Sequence, residues 1–166
     1  ISNYDDAMKL IESGCDKVVI NSLIHKDIKE VKKIVNTIGA ASVTGAIQYE
    51  KKNDKFFTFY EMARESTNLE LKDTLNLYAD CGVGEVLLTN VAHDGCYLGL
   101  CEDMKNEIHS FYRKMPILLG GGFLNLKELS AYDGFISGIV VSSSFHYDKI
   151  SINDLIQKRN KSFKIV

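Results

Sequence analysis

Two short stretches near the end of this sequence carry residue types suited to gripping a phosphate group. Gly120-Gly121-Gly122 follows the apolar run Pro116-Ile-Leu-Leu119, and Ser142-Ser143-Ser144 follows Gly138-Ile-Val-Val141. Glycine lets the backbone take positive φ and brings bare N–H groups against a ligand. Serines at the start of a helical turn add hydroxyls and unpaired N–H groups that suit a dianion. Either turn alone fits a tight strand-to-helix connection with capping serines equally well. Closing two consecutive parallel strands, the pair favours phosphate, which β/α barrels commonly hold after their last two strands.

Other strand ends add polar groups of the same kind. Asn21 and Ser22 follow Val18-Val-Ile20, Gln48 ends the run from Ala41 to Ile47, and Thr89 and Asn90 end Glu85-Val-Leu-Leu-Thr-Asn90. Asp94, in the turn His93-Asp94-Gly95, is the one carboxylate of this set beside a glycine and so a candidate general acid or base. Asp-Gly is also a common turn dipeptide, which leaves a purely conformational role open. His146 reads as a cap at a loop exit, while His25, at a helix start, and His109, within a helix, read as structural.

No G-x-x-x-x-G-K-[ST] or G-x-G-x-x-G is present, so nucleotide and dinucleotide cofactors get little support. The four cysteines, Cys15, Cys81, Cys96 and Cys101, form no C-x-x-C pair and lack metal-ligand spacing with histidine. They are expected as reduced thiols, Cys15 and Cys81 buried at helix ends just before strands. Neither a metal nor an organic cofactor is expected. A net charge of −2 with 25% charged residues gives no general attraction to nucleic acid or membrane. No run reaches the ~20 apolar residues of a membrane span, and the composition suits the cytoplasm.

The elements that must position these groups alternate. Asn3 or Asp5 caps a helix stopped by Gly14, and Asp27 begins a second that ends at Gly39. The strand from Ala41 is followed by Lys52-Asn-Asp-Lys55, a hairpin turn, and by the aromatic run Phe56-Phe-Thr-Phe-Tyr60, which predicts an antiparallel excursion. Helices are predicted over Leu69 to Cys81, Glu102 to Lys114, Asn125 to Tyr132 and Ile152 to Lys158. Strands alternating with helices imply parallel β-structure with right-handed crossovers. The 166 residues read as one domain, short for a complete (β/α)8 barrel of ~250 residues.

The segments Gly14-Cys-Asp-Lys-Val-Val-Ile-Asn21, Gly84 to Thr89 with His93-Asp94-Gly95, Ile117 to Gly122 and Ser143-Ser-Phe-His146 resemble, in order and spacing, the cyclase subunit of imidazole glycerol phosphate synthase. That family is a histidine-biosynthesis (β/α)8 barrel. The resemblance covers essentially the whole chain and implies a TIM-type parallel barrel, incomplete, with about five of eight strands present and the first three absent. It implies a lyase that uses ammonia from a glutaminase partner in a heterodimer. The substrate is a phosphoribulosyl-formimino carboxamide nucleotide, and the products are imidazole glycerol phosphate and aminoimidazole carboxamide ribotide.

By the same resemblance Gly121, Gly122, Ser142 and Ser143 hold one phosphate, and Asn21 and Ser22 help with the other. Thr89 and Asp94 match polar active-site positions, while Lys17 and Glu85 match the ammonia gate and docking face at the opposite mouth. Gln48 stands where the family has a catalytic aspartate, and Ala92 replaces another aspartate. An amide has no useful proton affinity near neutral pH, so Gln48 could orient substrate but not transfer a proton. The family's other catalytic aspartate ends the first strand, which is absent, so the chain alone is expected to be inactive. These departures also admit a different class of protein: a non-cyclising paralogue that partners a glutaminase and supplies ammonia to an amidotransferase of surface-polysaccharide sugars.

Overall fold

The computed structural model describes residues 1–132, 134–158 and 164–165. The chain divides into two compact units, Ile1–Leu87 and Leu88–Val166.

The first unit contains α1 (Tyr4–Glu12), β1 (Val18–Ile20), α2 (Leu23–Lys26), α3 (Ile28–Ile38), β2 (Val43–Lys52), β3 (Lys55–Tyr60), β4 (Glu65–Glu70) and α4 (Leu71–Cys81). Asn3 starts α1, its side chain accepting from Asp6 N, and Asp27 starts α3, accepting from Lys29 N and Glu30 N. Val31, Ile34 and Val35 form the buried stripe of α3 at helical spacing. This helix packs on α1, α4 and β2, and Glu30 ties it to α1 by accepting a 2.7 Å bond from Tyr4 N.

β1 pairs parallel with β2, Val18 opposite Val43. Along β2 the residues alternate. After the buried Val43, Thr44 and Gly45, Ile47 and Tyr49 are buried, whereas Ala46, Gln48 and Glu50 are only partly covered. Tyr78 of α4 lies against Gly45, where an added Cβ would sit 2.6 Å from the ring. The Tyr78 hydroxyl donates to Ile20 O at 2.7 Å, fastening α4 to the end of β1. Burial holds that phenol well above its ordinary range, so it stays a donor.

The hairpin forms as expected. Lys52 and Lys55 pair antiparallel across Asn53 and Asp54, both left-handed with φ of 49° and 61°, the geometry of a tight two-residue turn. A third antiparallel strand, β4, was not expected. It claims Leu69 and Glu70, which the sequence had assigned to the following helix. The Thr58 hydroxyl lies 2.7 Å from that of Thr67 and 2.8 Å from that of Thr74, joining β3, β4 and α4. The short α2 was also unforeseen, and His25 lies within it. Cys81 is buried as expected, but Cys15 is exposed. Its N–H closes α1 by bonding to Leu10 O at 3.1 Å, and that closure leaves the side chain outside.

β5 (Glu85–Asn90) carries the chain from the first unit into the second. There follow α5 (Met104–Ile108), β6 (Ile117–Gly120), α6 (Lys127–Ala131), β7 (Gly138–Val140), α7 (Ser143–His146), α8 (Ile152–Lys158) and β8 (Lys164–Ile165). β6, β7 and β8 pair in parallel, and β6 is buried along its whole length. Two helices are shorter than predicted. After Ile108 the bonds tighten, with Phe111 N to Ile108 O and Lys114 N to Phe111 O both at 2.8 Å, and the segment to Lys114 forms turns. Asn125 precedes α6, because its side chain accepts from Lys127 N at 2.9 Å and supplies an alternative to helical bonding. Ser151 caps α8, accepting from Asp154 N at 3.1 Å. No helix among the described residues is long and apolar enough to cross a membrane.

The Gly45 contact predicts that Gly45→Ala destabilises the chain by about 1–3 kcal/mol, because α4 cannot retreat without breaking the Tyr78 bond. A urea midpoint shows the loss; an unchanged midpoint would mean that α4 does not seat against β2 as described.

Candidate functional site

In the second unit, Thr89, Asp94, Gly121, Gly122, Ser142 and Ser143 line one cavity of ≈ 230 Å³. β5 delivers Thr89, the turn after it Asp94, the turn after β6 the glycines, and the turn after β7 the serines.

The glycine turn is built by close backbone packing. Gly121 has φ +83°, and a Cβ there would lie 2.6 Å from Asn90 O. Gly122 has φ +91°, and its Cβ would lie 2.7 Å from His93 Cβ. No side chain fits at either position. Asn90 is buried and starts the neighbouring turn, its carbonyl accepting from His93 N at 3.3 Å and Asp94 N at 3.0 Å. Its side chain accepts from Ala92 N at 3.0 Å. The amide that ends β5 therefore shapes the turn that presents Asp94. In α7, Ser144 is buried and donates to Phe123 O, which fastens the serine turn to the glycine turn and leaves Ser142 and Ser143 along the cavity.

Two residues important to this arrangement were not singled out from the sequence. Tyr97 lines the cavity, and its position between Gly95 and Gly99, two residues beyond Asp94-Gly95, was the available signal. Glu128 accepts N–H bonds from Leu100 at 2.8 Å, Leu124 at 3.2 Å and Asn125 at 2.9 Å. It thereby ties the loop after β5 to the loop after β6. As a charged residue on a short helix, it gave no distinctive pattern.

The remaining expected positions lie in the first unit. Lys17, just before β1, pairs with Glu85 at 2.6 Å, and the Thr44 hydroxyl donates to the same Glu85 oxygen at 2.8 Å. Asn21 donates to Ala46 O at 2.9 Å, while Ser22 accepts from Glu61 N at 3.1 Å and donates to the Asn21 side chain at 3.2 Å. Both end-of-strand groups are thus held in place by local bonds. Gln48, farther along β2, has its Oε1 buried with no hydrogen-bond partner among the described residues, an acceptor that an N–H or O–H would satisfy. A second cavity of ≈ 420 Å³ lies between α2 and the hairpin, lined by His25 and Tyr60 among others. Their ring centroids are 5.6 Å apart. Burial holds His25 below its ordinary value of 6.5.

Parallel strands alternating with helices, with polar residues in the turns that follow the strands, define an α/β protein of the kind that binds ligands at strand ends. The profile of the histidine biosynthesis protein family matches residues 1–151, and the chain belongs to that family. It is 29% identical over 161 residues to imidazole glycerol phosphate synthase subunit HisF of Chlorobium limicola, covering 95% of this chain and 63% of the relative. The corresponding subunit of Natranaerobius thermophilus is 28% identical over 157 residues, covering 93% of this chain and 62% of the relative. A phosphoribosyl imidazole-4-carboxamide isomerase of Campylobacter jejuni is 25% identical over 157 residues, covering 95% and 64% respectively. The chain therefore spans under two thirds of the length of these relatives.

Two outcomes follow. Gly121→Ala, with its Cβ against the Asn90 backbone, is expected to disrupt the glycine turn and destabilise the chain by about 3 kcal/mol. Gly95→Ala, which meets nothing within 4 Å, costs only about 1 kcal/mol for its left-handed backbone. Urea midpoints distinguish them, and equal losses would contradict the packing argument. The folded state binds a proton at His25 less readily than the unfolded chain, so stability falls as pH drops below the ordinary imidazole value. His25→Gln should flatten the dependence of the urea midpoint between about pH 7.5 and about pH 5; an unaltered slope rejects His25 as its source.

Proposed function

We propose that the chain is part of a cyclase subunit of imidazole glycerol phosphate synthase, a TIM-type barrel to which it contributes about five of eight strands. The observation that carries this reading is the convergence of Thr89, Asp94, Gly121, Gly122, Ser142 and Ser143 on one cavity.

In this mechanism, N–H groups of Gly121, Gly122 and Ser143 and the serine hydroxyls hold one phosphate of a doubly phosphorylated nucleotide. In the first unit, Asn21 and Ser22 are the groups that the family resemblance assigns to a second phosphate. Asp94 takes and returns protons during ammonia addition and ring closure, while the Thr89 hydroxyl orients the reacting group. The unpartnered Oε1 of Gln48 accepts a hydrogen bond from the substrate and so positions it. Lys17 and Glu85 gate ammonia delivered by a docked glutaminase subunit, and opening the gate requires breaking their 2.6 Å pair. Imidazole glycerol phosphate and aminoimidazole carboxamide ribotide leave as products.

Gln48 favours one rival reading. A group without proton affinity at that position suits a paralogue that conducts ammonia to a sugar amidotransferase without closing a ring. Ammonia-dependent turnover of the carboxamide nucleotide by the chain within its complete protein separates the two. The cyclase reading predicts measurable turnover that Asp94→Asn lowers by about 10²- to 10⁴-fold while phosphate binding persists. Absence of turnover together with stable glutaminase binding selects the paralogue.

A further inference from the structure

Tyr97 occupies the cavity wall although the polar chemistry above gives it no task. Its turn is fastened at several points: Cys96 N bonds to His93 O at 2.9 Å, Gly99 N to Gly122 O at 2.9 Å, and the His93 ring to Gly99 O at 2.7 Å. Its backbone is left-handed with φ 56°, a conformation an aromatic residue keeps only where its surroundings impose it. Tyr97 meets Tyr147 edge to face, with centroids 6.1 Å apart and planes at 82°. Its hydroxyl reaches to 3.5 Å from Ser143 O, the outer limit of a hydrogen bond.

The ring is therefore fixed beside the serines, in a cavity also lined by Phe123, Val140 and Val141. A bare phosphate gains nothing from an apolar wall. The organic part of a phosphate monoester does, and a flat heterocycle gains most, because offset stacking suits two planar rings. Burial, aided by Tyr147, also holds the phenol above its ordinary value and keeps it neutral.

We infer that Tyr97 is a specificity-determining residue whose ring packs against the organic part of a bound phosphate monoester and selects a planar heterocycle over a bare sugar. This rests on the phosphate reading of the cavity and adds which esters it prefers.

The test is calorimetric titration of the 166-residue chain with inorganic phosphate, ribose phosphate and adenosine monophosphate, repeated with Tyr97→Ala and Tyr97→Phe. The wild-type chain should bind the nucleotide about tenfold more tightly than ribose phosphate, the size of one base-on-ring contact. Tyr97→Ala should erase that preference, while Tyr97→Phe should keep it. The chain contains no tryptophan, so tyrosine emission is readable directly. Nucleotide quenching should exceed that by ribose phosphate in the wild type and shrink in Tyr97→Ala. A preference that survives Tyr97→Ala, or one that is absent from a wild-type chain that binds inorganic phosphate, overturns the inference alone. Failure of the wild-type chain to bind inorganic phosphate overturns the phosphate reading and this inference with it.

Discussion

One carboxylate holds the candidate cavity together. Glu128 gathers N–H groups from Leu100, Leu124 and Asn125, and hydrogen bonds to a charged acceptor are worth about 1.5–3 kcal/mol each, before context reduces them. Loops after neighbouring strands have little reason to keep a fixed separation unless something bridges them. Here the Glu128 side chain bridges them from one side, and Gly99 N to Gly122 O, at 2.9 Å, from the other. With both in place, Gly121 can lie directly on the Asn90 backbone, a distance that tolerates no Cβ. The close approach of these backbones is what brings the glycine turn and the Asp94 turn to one cavity.

The first unit solves a related problem with different parts. A glycine in β2 admits the Tyr78 ring, and the phenol anchors the end of β1. At the start of the strands Glu85 draws in Lys17 and Thr44. A partly exposed ion pair of this kind contributes little stability, typically about 0–1 kcal/mol. Gln48 is the exception to the satisfaction of buried side-chain polar atoms among the described residues: its Oε1 is buried without a hydrogen-bond partner there.

β1, β2, β5, β6 and β7 were legible because each is a short apolar run bounded by turn residues, whereas the two-residue β8 was not foreseen; the hairpin was legible because Asn53-Asp54 suits two left-handed residues. The cavity residues of the second unit were legible for the same reason, since glycines, serines and a threonine at strand ends stand out. The strand β4 was hidden because its residues Glu65 to Asn68 are polar and its register depends on Thr58, Thr67 and Thr74 finding each other in space. Helix lengths were overestimated where periodicity continued but side chains competed for the backbone, as at Asn125. Cys15 shows the limit of positional reasoning: a place before a strand predicts burial, yet the bond that closes α1 turned it outward. Glu128 escaped notice because its role arises from tertiary contacts that no local pattern announces, whereas Tyr97 carried a local signal, its place between Gly95 and Gly99, that was passed over.

The central claim is that the turns after β5, β6 and β7 form one phosphate-binding surface. Amide chemical shifts of the isotopically labelled chain, followed during addition of inorganic phosphate, test it most directly. The account predicts saturable shifts largest at Gly121, Gly122 and Ser143, with smaller ones at Thr89 and Asp94. Shifts centred elsewhere, or none at saturating phosphate, would contradict it.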